Sequence, residues 1–366
     1  MRAALLETSA APLEMVDDVV VEDPRTGEVL VKVSHCGVCH SDLSVANGTY
    51  PSVSPTVLGH EASGTVETVG AGVTDLAPGD KVVLTPIAAC DRCYWCLRGE
   101  YGCCVNASSV MTGTFTDGRT PLSRGGAPVL RGLGVGGFAE YVLVRESGAV
   151  KVAPDTPLDI ACVIGCAVQT GVGAVLNTAR VEEGATVFVG GAGGIGIAIT
   201  QGARLAGAAT IVVSDPVAQR REAALSFGAT HVLDPGAGDV IGRVQEITGG
   251  IGADYAFEAA GSGPLAETCL WTTRAGGTTV LVGAAPIDQS INLGPAVVMM
   301  ASERKVVGSF LGGSHSRRDV PRLLALWRAG RLDLEGMITA RRPVAEVNEA
   351  FADMTAGRGI RTVLSL

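Results

Sequence analysis

The segment ATVFVGGAGGIG at residues 185–196 joins a strand-like run of apolar residues to a glycine-rich turn. A helix-like stretch follows to Ala206, and the next strand-like run, residues 210–214, ends at Asp215. A strand, a turn of the form G-x-G-x-x-G, a helix and an acidic residue about 20 residues further on form the dinucleotide-binding fingerprint. The segment therefore predicts a Rossmann fold with NAD as its ligand.

Because glycine has no side chain, the glycines of this turn let the backbone approach a pyrophosphate at the N-terminus of a helix. A carboxylate at the end of the second strand is placed to bind the ribose hydroxyls of the adenosine. The residues expected to hold the dinucleotide are therefore Gly191, Gly193, Gly194, Ile195, Gly196 and Asp215.

The same alternation of strands and helices continues along the chain. Strand-like runs occur at residues 231–233, 254–257 and 279–282, with a helical pattern at 219–227. Such alternation is typical of a parallel sheet covered by helices on both faces. We expect the chain to leave this sheet from Val306 onward.

The first part of the chain, to about Val152, has a different pattern. Short runs rich in β-branched residues alternate with glycine, proline and aspartate, which mark turns. The predicted strands are residues 28–33, 64–69, 81–84 and 138–142. This pattern predicts a small β-barrel-like domain.

Cys39 and His60 carry side chains that are good zinc ligands. Asp42 and Glu61 lie within three residues of them, close enough to support an imidazole or the metal. Cys166, in an apolar segment far along the chain, offers a third donor. A buried cysteine and an unrelated histidine are the plainer alternative. Three donors would leave a fourth zinc position open for substrate.

A second group of cysteines occurs between residues 90 and 104. Cys90, Cys93 and Cys96 are spaced by three residues, and Cys103 and Cys104 follow after a gap. Four thiolates can close a tetrahedron around zinc and leave no room for substrate, so this site would be structural. Disulfides are the alternative, and the spacing alone does not choose between Cys103 and Cys104.

The segment GHEASG at residues 59–64, followed by Gly70 and Val73, resembles the zinc signature of the medium-chain alcohol dehydrogenases. The resemblance extends from about Leu30 to the segment GIRT at residues 359–362. It implies an α/β fold, with a Rossmann doubly wound parallel sheet at residues 168–310. Residues 1–167 and 311–366 would form a GroES-like β-barrel catalytic domain with a structural zinc lobe at about 90–104.

The resemblance also assigns roles around two zinc ions per subunit. Cys39, His60 and Cys166 would bind the catalytic zinc, which Glu61 would approach as a possible further ligand. Asp42 would fix the orientation of the histidine ring, and Ser41 would take the proton of the alcohol. The structural zinc would use Cys90, Cys93, Cys96 and Cys104.

Four further residues match family positions that contact the cofactor. His40 and Arg361 correspond to contacts with the pyrophosphate, Thr170 to a contact with the nicotinamide, and Arg220 to a contact with the adenosine ribose. Ordinary polar residues of helices or of the surface are the alternative for each.

The implied reaction interconverts primary alcohols and aldehydes by hydride transfer to or from NAD. By alignment with the family, the substrate pocket would include Pro86, Tyr50, Phe138, Ala284 and Phe310. These mainly apolar residues favour aryl or longer-chain substrates over polyols and hydroxy acids.

Three other functions are weighed against this one. A thiol-adduct formaldehyde dehydrogenase would have an anion-binding arginine where Ser108 stands. A polyol dehydrogenase would have a glutamate in place of Cys166. A non-enzymatic zinc-binding member of the family would have lost zinc ligands, and none is lost in this sequence.

Composition narrows the remaining possibilities. The chain has 366 residues, a net charge of −9 and 10 cysteines. The length suggests two domains, and the acidic balance argues against a nucleic-acid partner. No apolar run has the length of a membrane span, and no secretory signal precedes the cysteines, so we expect a cytoplasmic protein with reduced thiols and no membrane partner.

A loop-rich segment at residues 105–137 precedes the last predicted strand of the first domain. A connection of this length is uncommon unless it forms a lid or a contact surface. It resembles the insertion that dimeric liver-type alcohol dehydrogenases carry, and we therefore expect a homodimer.

Overall fold

The computed structural model describes residues 1–51 and 55–366. The strands, numbered along the chain, are β1 (Ala3–Leu6), β2 (Glu14–Val16), β3 (Val19–Val21), β4 (Glu28–Gly37), β5 (Thr56–Val57), β6 (Glu61–Val69), β7 (Lys81–Leu84), β8 (Leu122–Arg124), β9 (Ala127–Arg131), β10 (Tyr141–Arg145), β11 (Ala149–Lys151), β12 (Thr186–Gly190), β13 (Thr210–Ser214), β14 (His231–Leu233), β15 (Ala253–Glu258), β16 (Thr273–Leu281), β17 (Lys305–Gly308), β18 (Ile338–Pro343) and β19 (Arg361–Ser365).

The α-helices are α1 (His40–Ala46), α2 (Tyr94–Leu97), α3 (Ser108–Thr112), α4 (Leu158–Ala161), α5 (Ala167–Gly173), α6 (Gly194–Leu205), α7 (Ala218–Ser226), α8 (Val240–Ile247), α9 (Gly263–Thr272), α10 (Ala296–Ser302), α11 (Ser316–Arg328) and α12 (Val347–Thr355). Single 3-10 turns lie at Tyr101–Cys103, Val105–Ala107, Gly132–Gly134, Glu146–Gly148, Cys162–Gly165, Pro235–Ala237, Leu311–Gly313 and Val344–Glu346, and α5 continues into a π-helix at Ala174–Ala179.

The chain forms two compact units. The first contains Met1–Ala167 and His315–Leu366, and the second contains Val168–Ser314. In the first unit, one sheet has the strand order β2-β1-β5-β9-β8-β3 and the other β11-β7-β6-β4-β19-β18, with β10 added beside β4. Apolar side chains of these strands and of the segments between them form one core, which includes Leu5, Val31, Leu58 and Phe138.

The long strand β4 organises the first unit. It pairs along its length with β6, while β10 and the C-terminal strand β19 share its other edge. Gly37, near the end of β4, lies opposite Glu61 of β6 and Val363 of β19. The pairing therefore brings the start of β6 and the start of β19 together, although they are far apart in sequence.

The second unit is built on a six-stranded parallel sheet with the order β14-β13-β12-β15-β16-β17. The central strands β12 and β13 are runs of buried apolar residues, as is usual in a parallel sheet. Helices α6 and α9 both pack against β12. The predicted strand at 210–214 agrees with β13, and the helix after the glycine turn ends at Leu205.

Two sequence-based expectations about strands are wrong. The chain does not leave the parallel sheet at Val306, because β17 pairs with β16 as its sixth strand. The strand predicted from Phe138 begins only at Tyr141, since the N–H groups of Phe138 and Glu140 donate to the carbonyl oxygens of Leu58 and Arg2, which lie outside β4. The segment 105–137, expected to be loop-rich, contains α3 and the hairpin of β8 and β9.

Among the described residues, no single helix meets the length and hydropathy of a membrane span, and one bent pair, Leu158–Gly165 with Ala167–Ala179, meets both only when taken together.

The tight turn between β12 and α6 yields a prediction about stability. A Cβ atom at Gly196 would lie 1.8 Å from the Gly191 carbonyl oxygen, whereas a Cβ atom at Gly193 meets no atom within 4 Å. We expect Gly196→Ala to lower the free energy of unfolding by about 2 kcal/mol or more, because the backbone must move apart. The matched control Gly193→Ala should stay within about 0.5 kcal/mol of the parent. Urea unfolding of both variants measures the difference, and equal midpoints would contradict it.

Candidate active site and cofactor site

One buried carboxylate fixes the positions of Cys39 and His60. Asp42, which is fully buried, lies in the first turn of α1, three residues after Cys39. Its Oδ2 accepts a hydrogen bond from the Cys39 N–H at 3.3 Å, and its Oδ1 accepts one from the Gly59 N–H at 2.9 Å. The His60 Nδ1 lies 3.1 Å from the same Oδ1. Since Nδ1–H donates to Asp42, the lone pair of Nε2 is left for a metal.

The Ser41 hydroxyl stands between these two ligands. Its Oγ donates to the Cys39 Sγ at 3.3 Å and lies 3.4 Å from the His60 Nε2. A hydroxyl can both accept and donate a proton. It is therefore placed to exchange a proton with a molecule bound at the same point.

Cys166 and Glu61 complete the group. One donor atom from each of Cys39, His60, Glu61 and Cys166 lies within 4.8 Å of all the others. Glu61 Oε1 accepts a hydrogen bond from the Ala167 N–H at 3.3 Å, and Glu61 Oε2 is buried with no partner. A buried carboxylate oxygen without a partner is costly unless a cation or donor meets it.

Gly37 makes room for this carboxylate. A Cβ atom there would lie 2.3 Å from Glu61 Oε2. Behind the carboxylate, the buried Arg361 places Nη1 3.4 Å from Glu61 Oε1 and donates from the same nitrogen to the Val38 carbonyl at 2.7 Å. Arg361, which sequence comparison links to the pyrophosphate, thus contacts Glu61 directly.

The ionisation of these groups is strongly coupled. A hydrogen bond from Cys166 and contact with His60 hold the pKa of the Cys39 thiol well below its usual value. The same hydrogen bond to Cys39, together with burial, raises the pKa of Cys166 well above its usual value. Burial, opposed by Arg361, raises the pKa of Glu61 to about 7. Two adjacent thiols cannot both ionise without a cation, and a divalent metal would allow it.

The donor set fits zinc. Two thiolates and one imidazole are ligands that zinc accepts in a site with an open position. The unpartnered oxygen of Glu61 adds a carboxylate beside that position. The predicted residues Cys39, His60, Glu61 and Cys166 thus come together as one group.

The second cysteine group is also assembled. The sulfur atoms of Cys90, Cys93, Cys96 and Cys104 lie within 4.8 Å of one another. The Cys104 Sγ accepts hydrogen bonds from the N–H groups of Cys90 and Asn106, both at 3.4 Å. Cys103 is exposed and lies outside the group. Cys104, and not Cys103, thus lies in the group of four sulfur atoms, as the family resemblance implied.

The pKa values of the thiols in this group are shifted in opposite directions. Hydrogen bonds from the N–H groups of Cys96 and Val105 lower the pKa of Cys93 to about 6. Burial and contact with Cys104 raise the pKa of Cys96 to about 12. Four thiols at this spacing can share negative charge only if a cation lies among them. The group therefore fits a structural zinc with a closed shell.

The glycine-rich turn leads from β12 into α6, as the sequence predicts. Gly193 precedes the helix, and Gly194, Ile195 and Gly196 form its first turn. Gly191 has a φ of +95°, which a side chain would disfavour. The turn therefore presents backbone N–H groups at a helix N-terminus.

Asp215 and Arg220 line a cavity of about 490 Å³ beside this turn, together with Gly191 and Asp239. Asp215 Oδ2 accepts from the Ala192 N–H at 2.7 Å, and its Oδ1 accepts from the Val217 N–H at 2.8 Å. The carboxylate is thus held in a fixed orientation. Asp239 was not among the predicted residues, although a glycine followed by an aspartate directly before α8 is a pattern that indicates the start of a helix beside the cavity.

The other predicted residues have simpler surroundings. His40 is exposed, with Nδ1 3.4 Å from the Ser44 hydroxyl, and Thr170 is buried in α5. Phe138 was predicted to line a substrate pocket, and this is wrong. Its side chain is fully buried in the core, where its ring meets that of Phe351 edge to face with centroids 6.4 Å apart.

The other four residues that the family alignment predicts for a substrate pocket are described unit by unit. Pro86 and Tyr50 belong to the first unit, and Ala284 and Phe310 to the second. Burial and the nearby Cys39 thiolate raise the pKa of the Tyr50 hydroxyl. Tyr50 is therefore an aromatic side chain close to the metal ligands.

Comparison with known proteins identifies the family. Residues 194–328 match the model of the zinc-binding dehydrogenases, and residues 25–155 match that of the alcohol dehydrogenase GroES-like domain. The chain is 37% identical to S-(hydroxymethyl)glutathione dehydrogenase of Escherichia coli O1:K1 over 369 residues, which covers 99% of each protein.

Two solved structures are similar over the whole chain. One is an alcohol dehydrogenase zinc-binding domain protein from Burkholderia ambifaria, with a TM-score of 0.94 and 35% identity, covering 100% of this chain and 98% of the other. The other is benzyl alcohol dehydrogenase from Acinetobacter calcoaceticus, with a TM-score of 0.93 and 29% identity, covering 100% and 99%. The predicted fold class, a GroES-like domain with a Rossmann domain, is confirmed. The chain belongs to the zinc-dependent medium-chain alcohol dehydrogenase family.

Proposed function

We propose that this protein interconverts primary alcohols and aldehydes with NAD, and that it prefers aryl or longer-chain substrates. The observation that carries the proposal is the position of the Ser41 hydroxyl, within 3.4 Å of both Cys39 Sγ and His60 Nε2. A proton acceptor stands where two metal ligands converge, as oxidation of a hydroxyl requires.

When bound, zinc supplies a Lewis acid that makes an alcohol hydroxyl more acidic, and NAD supplies the acceptor for the hydride. The Ser41 hydroxyl accepts the alcohol proton and donates its own proton onward. The overall reaction would convert an alcohol and NAD⁺ into an aldehyde, NADH and one proton, and Ser41 would carry that proton away from the substrate oxygen. In the reverse direction the same hydroxyl returns the proton to oxygen.

Asp42 and Arg361 position this chemistry without touching the substrate. Asp42 keeps the Nδ1–H form of His60, because its carboxylate accepts that hydrogen at 3.1 Å. Arg361, 3.4 Å from Glu61, favours the carboxylate form of a buried acid. Glu61 can then balance the charge of a metal beside it or approach the metal as a ligand.

NAD is preferred over NADP in this proposal because of Asp215. Its carboxylate lines the cavity beside the glycine-rich turn and is only 3% exposed. A carboxylate accepts hydrogen bonds from ribose hydroxyls and repels a 2′-phosphate, which carries nearly two negative charges. Arg220 lines the same cavity and would weaken this repulsion without reversing it.

The proposed preference for aryl substrates is supported by Tyr50, whose ring lies close enough to Cys39 for the two groups to interact electrostatically. An aromatic side chain can stack on an aryl ring in an offset or edge-on geometry. The similar structure from Acinetobacter calcoaceticus is a benzyl alcohol dehydrogenase.

A second candidate substrate is S-(hydroxymethyl)glutathione, after which the Escherichia coli relative is named. The family's anion-binding arginine is replaced by Ser108, whose hydroxyl donates to the Val105 carbonyl at 2.9 Å. A serine hydroxyl that donates to the carbonyl of another residue gives no positive charge to a glutathione carboxylate. This favours the uncharged alcohol.

We also propose that the protein forms a homodimer. Several large apolar side chains around α10 are exposed in the single chain, namely Ile287, Leu293, Val297, Val298 and Met300. Several large apolar side chains left exposed in one segment are typical of an interface between subunits. The proposal is independent of the substrate.

The two donor groups lead to a prediction about metal content. We expect two zinc ions per chain, one for each group. Cys90→Ser should remove one zinc and lower the melting temperature, because a closed site is coupled to folding. Cys166→Ser should abolish alcohol oxidation with little effect on the melting temperature. Elemental analysis and thermal unfolding measure both.

Cys103→Ser is the matched control for Cys90→Ser, since Cys103 lies next to the group and outside it. It should keep both zinc ions. A parent protein with one zinc per chain, or a Cys103 variant that loses one, would contradict the assignment.

Cofactor choice leads to a second prediction. Asp215→Asn removes the charge and keeps the shape of the side chain, so the ratio of kcat/KM for NADP to that for NAD should rise at least tenfold, or about 1.4 kcal/mol. Asp239→Asn, in the same cavity, is the control and should leave the ratio within about threefold of the parent. If only the Asp239 variant changes the ratio, Asp239 sets the preference.

Substrate size leads to a third prediction. We expect benzyl alcohol and octanol to exceed ethanol in kcat/KM by tens-fold or more, mainly through lower KM, since each buried methylene contributes about 0.8 kcal/mol. A panel of alcohols with NAD, followed by the absorbance of NADH, measures this. Ethanol at or above benzyl alcohol would refute the preference.

The same panel separates the two candidate substrates. Formaldehyde should be oxidised no faster when glutathione is added. A large stimulation by glutathione would favour the thiol adduct as the substrate and would leave the dehydrogenase chemistry intact.

A further inference from the structure

A buried carboxylate in the second unit lies at the end of β15. Glu258 is the last residue of this strand, and its side chain is buried. Its neighbours in the parallel sheet are Gly190, the last residue of β12, and Leu281 of β16. The glycine-rich turn begins directly after Gly190, and a short connection, residues 259–262, leads from Glu258 into α9. Glu258 therefore lies where three strands of the sheet end.

The order of the sheet reverses between β12 and β15. These two strands pair directly, although β13 and β14 lie between them in the chain. In such sheets a nucleotide binds outside the carboxyl ends of the strands at the point of reversal. The glycine-rich turn after β12 forms one side of that point, and the connection 259–262 after β15 forms the other. Glu258 lies at the base of the second side.

The carboxylate of Glu258 holds the backbone of this connection. Its Oε1 accepts the N–H groups of Ala260 at 2.9 Å, Gly261 at 2.7 Å and Ser262 at 3.2 Å. Burial raises the pKa of Glu258, and these N–H groups oppose the rise because they stabilise the charged form. Three successive donors thus converge on one oxygen atom. The carboxylate therefore fixes the course of the backbone from Ala260 to Ser262.

The connection also has close neighbours on both sides. A Cβ atom at Gly191, in the glycine-rich turn, would lie 3.2 Å from the Ala260 Cβ. A Cβ atom at Gly261, whose φ is +78°, would lie 2.4 Å from the Ala284 carbonyl oxygen. A Cβ atom at Gly283 would lie 2.1 Å from the Gly261 nitrogen. The connection therefore has little space to shift toward either neighbour.

The same connection forms part of the wall of the 490 Å³ cavity that Asp215 and Arg220 line. Ala260 lines that cavity, and so do Leu265 and Thr268 of the helix that follows, α9. Asp215 is placed to bind the adenosine ribose. A shift of the connection would therefore change the shape of the cavity beside the residue that binds the ribose.

We propose that Glu258 is a positioning residue for the adenosine half of NAD. Glu258 does not itself line the cavity; it holds residues 260–262 in place before the dinucleotide binds. A site that is already formed binds more tightly than one that must first be ordered, because the apparent Kd rises as the competent fraction of the protein falls. This role rests on the proposed use of NAD and is independent of which alcohol is the substrate.

ADP-ribose is the probe, because it carries the adenosine and the pyrophosphate of NAD and has no nicotinamide. Calorimetry with the zinc-loaded full chain measures its Kd without turnover. Glu258→Ala leaves three N–H groups without their acceptor, so the Kd should rise about tenfold or more. Glu258→Gln keeps one acceptor oxygen and loses the charge, so the Kd should rise less, by about threefold.

Asp254→Asn is the matched control, because it weakens the same strand away from the cavity. Asp254 lies near the other end of β15, accepts from the Thr186 N–H at 2.7 Å, pairs with Arg274 and does not line the cavity. This variant should lower the melting temperature and keep the Kd for ADP-ribose within about twofold of the parent. All three variants should keep the zinc content of the parent, since both zinc groups belong to the first unit.

Glu258 has no positioning role if Glu258→Gln and Glu258→Ala bind ADP-ribose as tightly as the parent does. A rise in Kd that is equally large in Asp254→Asn would also overturn this role, because it would reflect general destabilisation. If Glu258→Ala does not fold, the comparison of Glu258→Gln with Asp254→Asn decides. A parent protein that does not bind ADP-ribose would overturn the use of NAD itself, which distinguishes the two failures.

Discussion

The metal centre depends on the carboxylate of Asp42. Its two oxygens accept the N–H groups of Cys39 and Gly59 and the Nδ1–H of His60, so one side chain joins the start of α1 to the segment before β6. All of these groups are buried, and each would cost about 1–3 kcal/mol if its partner were removed. The positions of two ligands are therefore set by protein hydrogen bonds before a metal binds.

A second constraint is the balance of buried charge around the same centre. Cys39 and Cys166 share one proton between two adjacent thiols. Burial raises the pKa of Glu61, although the nearby Arg361 lowers it. The pairing of β19 beside β4 places Arg361 here, and the missing side chain of Gly37 leaves space for Glu61. A divalent cation supplies the charge that lets the two thiols and the carboxylate ionise together.

The ligands could be predicted from the sequence, because zinc chemistry admits few residue types and the spacing of Cys90, Cys93 and Cys96 is restrictive. The turn before α6 was predictable for a similar reason, since few residues other than glycine fit it. Strand β17 and the burial of Phe138 were not, because both follow from contacts between distant segments. The contacts of Arg131 and Arg145 with the ring of Phe115 were not predicted for the same reason, because these residues are far apart in sequence and meet in the tertiary structure.

Asp42 and Arg131 are both buried charged side chains, and they differ in how many hydrogen-bond partners the protein gives them. Each is a charged side chain removed from water, and each must find partners in the protein or in a bound ion. Asp42 finds three N–H groups and needs nothing further. Arg131 finds two carbonyl oxygens and an aromatic ring, which leave two of its nitrogens unused. Buried charge in this chain is therefore held in two ways, by three N–H donors at Asp42 and by carbonyl oxygens and an aromatic ring at Arg131.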